Sequence, residues 1–200
     1  MDSSSKPSSD GDPSLPDSIV LDACVLLNLF ATGRVDDILG SLPSRCLVSP
    51  YVRRETLWYL APSSEGSDKM ERCDISLQPV VAAGLLEVVD LTPEEQSAFV
   101  ELARYLGDGE AASGAIASGR SAAVATDDAR ARQVFEHRTP PLAVVGTSTL
   151  LRFWEVRSGT SRADVAATLR AIQLGARYYP RGDGEDAVWW QERMTEISLH

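Results

Sequence analysis

The sequence predicts an α/β fold, with a central, mainly parallel sheet and helices on both faces. Strand-like apolar runs alternate with helix-like segments from Ser18 onward, and no internal repeat interrupts the alternation. The 200 residues suit one domain with a full hydrophobic core. At 44% apolar and 24% charged residues the composition is that of an ordinary soluble protein, and no apolar run is long enough to span a bilayer.

Residues 18–21 (Ser-Ile-Val-Leu) read as the first strand, closed by Asp22. Residues 23–30 suit a buried helix, although periodicity alone does not decide it, and Gly33 breaks the segment. Residues 34–39 add a turn or two of helix, and 45–49 form the second strand. Pro50 fits the first turn of a helix reaching about Leu60, followed by a loop over 62–67. A short helix over 77–83 and a strand over 85–90 come next. Thr92, Pro93 and Glu95 supply a cap, a first helical residue and the carboxylate of a capping box, starting a helix that runs to about Leu106. Gly107 to Gly109 break the chain, with Asp108 read as a cap, and a helix covers 110–118. Residues 122–125 are a strand and 127–135 a helix, Pro140 and Pro141 interrupt, and 142–145 are the last strand. Helices over 147–156, 162–174 and 186–197 complete the chain.

Residues 1–17 are mostly Ser, Pro, Asp and Gly with no apolar signal core, too little to offset the entropy of ordering, and are expected to be a disordered leader. Cys24, Cys46 and Cys73 are odd in number and share no metal-ligand spacing, which points to the cytoplasm. His137 and the terminal His200 are the only histidines, which argues against a His-based zinc site or a Ser-His-Asp triad. The formal charge of −10 argues against a general nucleic-acid binder held by a broad basic face. It leaves room for a carboxylate-rich metal site, which is itself negative until ions bind. Of the 19 basic residues only Lys6 and Lys69 are lysine, and arginine grips phosphate with two parallel hydrogen bonds.

In open α/β sheets ligands gather beyond the carboxyl ends of the strands, so the acids there carry the most information. Asp22 closes the first strand; as a helix cap it would be equally ordinary. Glu55 lies near the edge of the apolar face set by Val52, Leu57 and Tyr59 or Leu60, where the bland alternative is a solvated glutamate beside Arg54. Glu110 opens a helix of small residues that can approach the sheet closely, and the helix dipole favours an anion there. Asp127 and Asp128 follow the strand at 122–125. One is read as a ligand and the other as a cap, with Asp127 favoured as ligand. Four acids at one sheet edge repel one another unless cations neutralise them. Hard oxygen donors without His or Cys suit Mg²⁺ or Mn²⁺, which can activate water and orient a phosphodiester.

Four segments together resemble the PIN-domain family: Val-Leu-Asp-Ala-Cys-Val-Leu-Leu-Asn-Leu at Asp22, Arg-Arg-Glu-Thr-Leu at Glu55, Gly-Asp-Gly-Glu-Ala-Ala-Ser-Gly-Ala-Ile-Ala at Glu110 and Ala-Thr-Asp-Asp-Ala-Arg-Ala-Arg at Asp127, with Asp128 beside it. The Gly-x-Gly-Glu form of the third motif, and Val-Val-Gly-Thr-Ser-Thr-Leu-Leu after it, resemble one branch of that family. The likeness covers about 18–157 and departs at Cys24, where Ser or Thr is more usual. It implies a PIN-like three-layer α/β/α sandwich over 18–158, with 159–200 a helical extension packed on the same domain. It also implies metal-dependent endoribonuclease activity, with Asp22, Glu55, Glu110 and Asp127 catalytic and, with Asp128, metal-holding. The expected partners are an RNA substrate, an antitoxin protein if the chain is a toxin of the VapC type, and a second copy of the chain, with no membrane.

Asn28 and Thr147 are candidates to support the metal ligands, and Arg53, Arg54, Arg130 and Arg132 to hold the RNA backbone; local packing and solvation are the bland alternatives. Trp189, Trp190, Tyr178 and Tyr179 could stack on bases, but sealing a core or interface is favoured. Two other functions compete. A degenerate PIN module would bind a protein or RNA without cleaving. A haloacid-dehalogenase-like phosphatase wants a second Asp where Cys24 stands, and a lysine that neither Lys6 nor Lys69 is placed to supply.

Overall fold

The computed structural model describes residues 15–55, 57–62 and 69–195. In chain order these form β1 (Ser18–Leu21), α1 (Ala23–Ala31), α2 (Val35–Ser41), β2 (Arg45–Val48), α3 (Pro50–Arg54), β3 (Trp58–Pro62), β4 (Met70–Asp74), α4 (Gln78–Ala82) and β5 (Glu87–Val88). They continue with α5 (Pro93–Leu102), α6 (Asp108–Gly119), β6 (Ala123–Ala125), α7 (Ala129–Glu136), β7 (Val144–Val145), α8 (Thr147–Ser158), α9 (Arg162–Gly175) and α10 (Glu185–Thr195).

Five strands make one sheet in the order β5-β2-β1-β6-β7, and every pairing in it is parallel. β1 lies at the centre, with Val20 opposite Leu47 of β2 and Val124 of β6. Its alternation sorts the core into two. Ile19 and Leu21 face Leu26, Leu29, Leu151, Trp154 and Leu169 on one side, while Val20 faces Ala111, Ala115, Ile116 and Phe135 on the other. Both faces of β1 are therefore buried, as a parallel strand between two helical layers requires. Each fully buried aliphatic side chain contributes roughly 1.5–3 kcal/mol. The expected α/β sandwich is thus observed. α9 packs on α1, and α10 on α8 and α9, so the described C-terminal helices join the layer already formed. Among the described residues no helix is long and apolar enough to cross a membrane.

The expected disordered leader falls mostly on residues 1–14, outside the described residues. Its last residues are ordered: Leu15 packs on the core, and the Asp17 carbonyl accepts the Arg45 amide at 2.8 Å.

Three local expectations are corrected. The helix expected to reach Leu60 stops at Arg54, and Glu55 already has the extended ψ of 137°. Trp58–Pro62 is instead a strand, antiparallel to Met70–Asp74 and outside the main sheet. Aromatic residues favour a strand there, and Arg72 stacks on Trp58 at 5.0 Å. The expected loop over 62–67 begins inside this strand at Pro62, and its remainder lies outside the described residues. The hairpin rests on α9 at Gly175, where a Cβ would come within 2.7 Å of the Leu60 carbonyl oxygen. Finally, α6 begins at Asp108, not Glu110. Gly107 is its cap and Asp108, expected to cap, is its first residue. The short edge strands β5 and β7 cover only part of the spans expected, having neighbours on one side alone.

Candidate functional site

The carboxyl ends of β1 and β6 lie side by side, and the chain continues the ladder one residue further: the Asp22 amide donates to the Ala125 carbonyl at 3.0 Å. Asp22 is therefore fixed by the sheet. It occupies the cap position of α1 yet makes no side-chain capping bond to it. Its Oδ2 accepts from the Thr126 hydroxyl at 3.0 Å and from the Cys24 thiol at 3.4 Å. Burial pushes the Asp22 carboxyl above its ordinary range, the Ala23 amide and these two donors pull it back, and Asp128 raises it again. Burial and the Asp22 charge drive the Cys24 thiol far up, so in the metal-free chain it stays a protonated donor.

Glu55 and Glu110 arrive from two other elements. Glu55 ends α3, and its carboxyl lies over the bare α-carbon of Gly109, where a Cβ would collide with Glu55 Oε1. Glu110, the third residue of α6, accepts the Gly107 amide at 3.0 Å. Glu55 is raised by burial, then by Asp22 and Glu110. Glu110 is raised by burial and by Asp22 and Asp128, against the Gly107 amide and the nearby Arg130. Among the described residues none of Asp22, Glu55, Glu110 and Asp128 forms an ion pair.

Asp127 and Asp128, adjacent in the chain, part company. Asp127 is saturated: Oδ1 accepts the Thr147 amide at 3.0 Å and the Tyr178 hydroxyl at 2.9 Å, and Oδ2 accepts Asn28 Nδ2 at 2.9 Å and the Thr147 hydroxyl. It ties the start of α8 to β6. Asp128 caps α7 through Oδ1, which accepts the Ala131 amide at 2.8 Å, and its charge is felt by both Asp22 and Glu110. Asp22, Glu55, Glu110 and Asp128 thus each lie within electrostatic reach of at least one other acid of the set, while Asp127 is engaged by four donors. Asn28, 2% exposed, donates to both Asp127 and Thr147 Oγ1. Asn28 and Thr147 thus support Asp127 directly.

Of the candidate arginines, Arg130 is near enough to lower Glu110, and Arg132 donates to the Thr126 carbonyl at 3.2 Å. Arg53 is exposed, while Arg54 is engaged by the Tyr51 ring and the Pro50 carbonyl. Trp189 and Trp190 are buried as expected, and Tyr178 packs edge-on against Trp190. Tyr179 does not follow them: it is 56% exposed.

The donor set fits a hard divalent cation: four carboxylates, no imidazole, and mutual repulsion that a cation would relieve. In the present side-chain arrangement, no three His, Cys, Asp or Glu side chains among the described residues converge on one point. Glu55 and Glu110 have the flexible side chains that could swing inward, whereas Asp22 is fixed by β1.

A family model described as a PIN domain matches residues 18–181. No curated protein and no solved structure matches the chain.

Proposed function

Because the chain belongs to the PIN-domain family, whose members are typically nucleases and generally use divalent metal ions, we propose that it is a Mg²⁺- or Mn²⁺-dependent endoribonuclease with Asp22, Glu55, Glu110 and Asp128 as metal-holding residues. The observation that carries this reading is the placement of Asp22, Glu55, Glu110 and Asp128 at the carboxyl edge of the sheet with no ion-pair partner among the described residues, where burial first, and neighbouring carboxylates second, raise Asp22, Glu55 and Glu110. Acids kept together at such a cost have a purpose outside stability. Relative to the sequence expectation, the fourth ligand moves from Asp127 to Asp128. Asp127 has four donors on its two oxygens, whereas Asp128 keeps one oxygen free of hydrogen bonds.

The chain's own residues have distinct tasks. Thr126 and Cys24 hold Asp22 Oδ2, so that Oδ1 presents a fixed direction. Asp127 locks α8 against β6 and keeps Asp128 in place as the first anchor of α7. Gly109 gives Glu55 room beside Glu110. A cation held there would polarise the phosphodiester and lower the pKa of the attacking water.

The test is cleavage of single-stranded RNA with Mn²⁺ or Mg²⁺, comparing the wild type with Asp22→Asn and Asp128→Asn. The wild type is expected to cut and both variants to lose the activity; equal cutting by all three ends the metal-site assignment. A second reading, a module that binds RNA or a protein without cleaving, is favoured by the unconverged acids. It predicts no cleavage by the wild type with either ion. A toxin role with an antitoxin partner is a further part of the proposal. Growth arrest on expression of the wild type, absent with Asp22→Asn, supports the toxin role, and a small DNA-binding protein encoded next door supports the partner.

A further inference from the structure

Beside the acids, the chain builds a surface of the opposite sign. After α9, residues 177–181 cross the carboxyl end of the sheet outside any helix or strand. There Arg132, Arg177, Tyr178, Tyr179 and Arg181 line a cleft of about 470 Å³ that also reaches Asp127. Ligand clefts span roughly 300–1,000 Å³. Gly146 lies against two of the lining side chains, where a Cβ would lie 3.0 Å from Asp127 Oδ1 and 3.4 Å from Arg132 Nη1.

The charges in this cleft do not cancel. Three arginines, Arg132, Arg177 and Arg181, stand there against two carboxylates, Asp127 and Asp186, and Asp186 already meets Arg152 at 3.5 Å. Arg177 and Arg181 are exposed, and among the described residues neither side chain has a hydrogen-bond or ion-pair partner. Arg177 also sits at φ +56°, a left-handed backbone that disfavours any side chain and suits glycine. In a chain of net charge −10, unpaired arginines around a concave surface are a selective anion site. The exposed ring of Tyr179 beside them offers an aromatic face. Arg132 joins this cleft to the acids: it donates to the Thr126 carbonyl, and the Thr126 hydroxyl donates to Asp22.

We propose that this cleft is a nucleotide subsite for single-stranded RNA, in which Arg177 and Arg181 grip backbone phosphates and Tyr179 stacks on a base, feeding the strand toward the acids. The inference rests on the ribonuclease reading for its direction along the strand. Arginine matches phosphate geometry, and an aromatic face takes any unpaired base. A duplex keeps its bases stacked and offers Tyr179 no free face.

The experiment separates binding from cleavage. Fluorescence anisotropy with a labelled single-stranded oligoadenylate RNA of about 10 nucleotides is run in EDTA on the wild type, Arg177→Gln/Arg181→Gln and Tyr179→Ala. The double arginine variant is expected to bind about tenfold more weakly, with a salt slope shallower by about 0.7 for each phosphate no longer neutralised. Tyr179→Ala weakens binding to the single strand and leaves binding to a duplex of equal length unchanged. In cleavage, the double variant raises KM and retains kcat. Equal affinity and salt slope for the wild type and the double variant overturn the subsite, as does a wild type that binds no oligonucleotide. A wild type that binds through these arginines but cuts nothing upholds the subsite and removes the nuclease reading instead.

Discussion

Glu95 and Glu110 occupy the same position, third residue of the packed neighbours α5 and α6, each accepting the amide of its helix's cap residue, and they meet opposite surroundings. Glu95 is 4% exposed, and burial alone would raise it, but the Arg120 guanidinium at 2.8 Å wins and holds it below the ordinary range. Glu110 is more open to solvent, has no ion-pair partner and is raised. Each helix start also has a glycine nearby that accommodates a glutamate: Gly119 leaves room for Glu95, and Gly109 for Glu55. One motif thus serves two ends. Where a cation from the chain answers the acid, the pair is structural. Where no cation of the chain pairs with the acid, the deficit is open to an ion from solution.

The largest expected effect comes from exchanging the two glutamates for glutamine. Glu110→Gln should lower Mn²⁺-dependent cleavage by about 10²–10³-fold, since several kcal/mol of transition-state stabilisation depend on the held ion. Glu95→Gln should leave cleavage per folded molecule unchanged and lower the melting temperature. If Glu95→Gln also abolished cleavage with folding intact, the contrast between the two helices would fail.

The glycines sharpen the same contrast. Gly109→Ala pushes Glu55 aside, and because that carboxyl ends a flexible side chain the cost in stability is small. Cleavage should fall about tenfold, as when a metal ligand is deprived of its supporting neighbour. At Gly119, a Cβ would meet Glu95 Oε1 at 2.8 Å inside a buried pair. Gly119→Ala should therefore lower the melting temperature more than Gly109→Ala and spare activity. Circular dichroism melts and cleavage rates on both variants check this; reversed ranks would refute it.

The smallest effect is on stability against pH. Asp22, Glu55 and Glu110 are raised from ordinary values of 3.8 for Asp and 4.5 for Glu, so the metal-free folded chain holds protons that the unfolded chain has released. Their contribution to stability is therefore greatest in acid and is lost as pH rises from those values through the elevated folded ones. In metal-free buffer Asp22→Asn should melt about 2–4 °C above the wild type at neutral pH, with the gap closing toward pH 4. Mn²⁺ should raise the wild type and leave the variant nearly unmoved. A gap that widens in acid would contradict the cost assigned to burying the Asp22 charge.

Much of this frame is legible in sequence. The runs at 18–21, 45–48 and 123–125 are buried on both faces, so apolar composition marks them without reference to partners. The Thr92–Glu95 box is local and reads directly. The β3–β4 hairpin does not, because Trp58 and Tyr59 follow a helix start and their strand partners Asp74 and Cys73 lie far along the chain. Within the site, acids at strand ends are legible as a set. The division of labour between Asp127 and Asp128 is not, since it depends on donors from Asn28, Thr147 and Tyr178, 99, 20 and 51 residues away. The cleft over 177–181 had one clue, the paired tyrosines, and only exposure distinguishes Tyr179 from its buried neighbour's role.

The Thr126 hydroxyl reaches Asp22 across 104 residues of chain. Neither partner has its setting until β6 has docked beside β1, and Asp128 comes later still. A ribosome-bound chain, or a fragment cut anywhere before Thr126, carries Asp22, Glu55 and Glu110 as scattered, ordinary acids. Competence at this edge arrives only when the sheet closes, so any activity it supports doubles as a report that the whole sheet has formed.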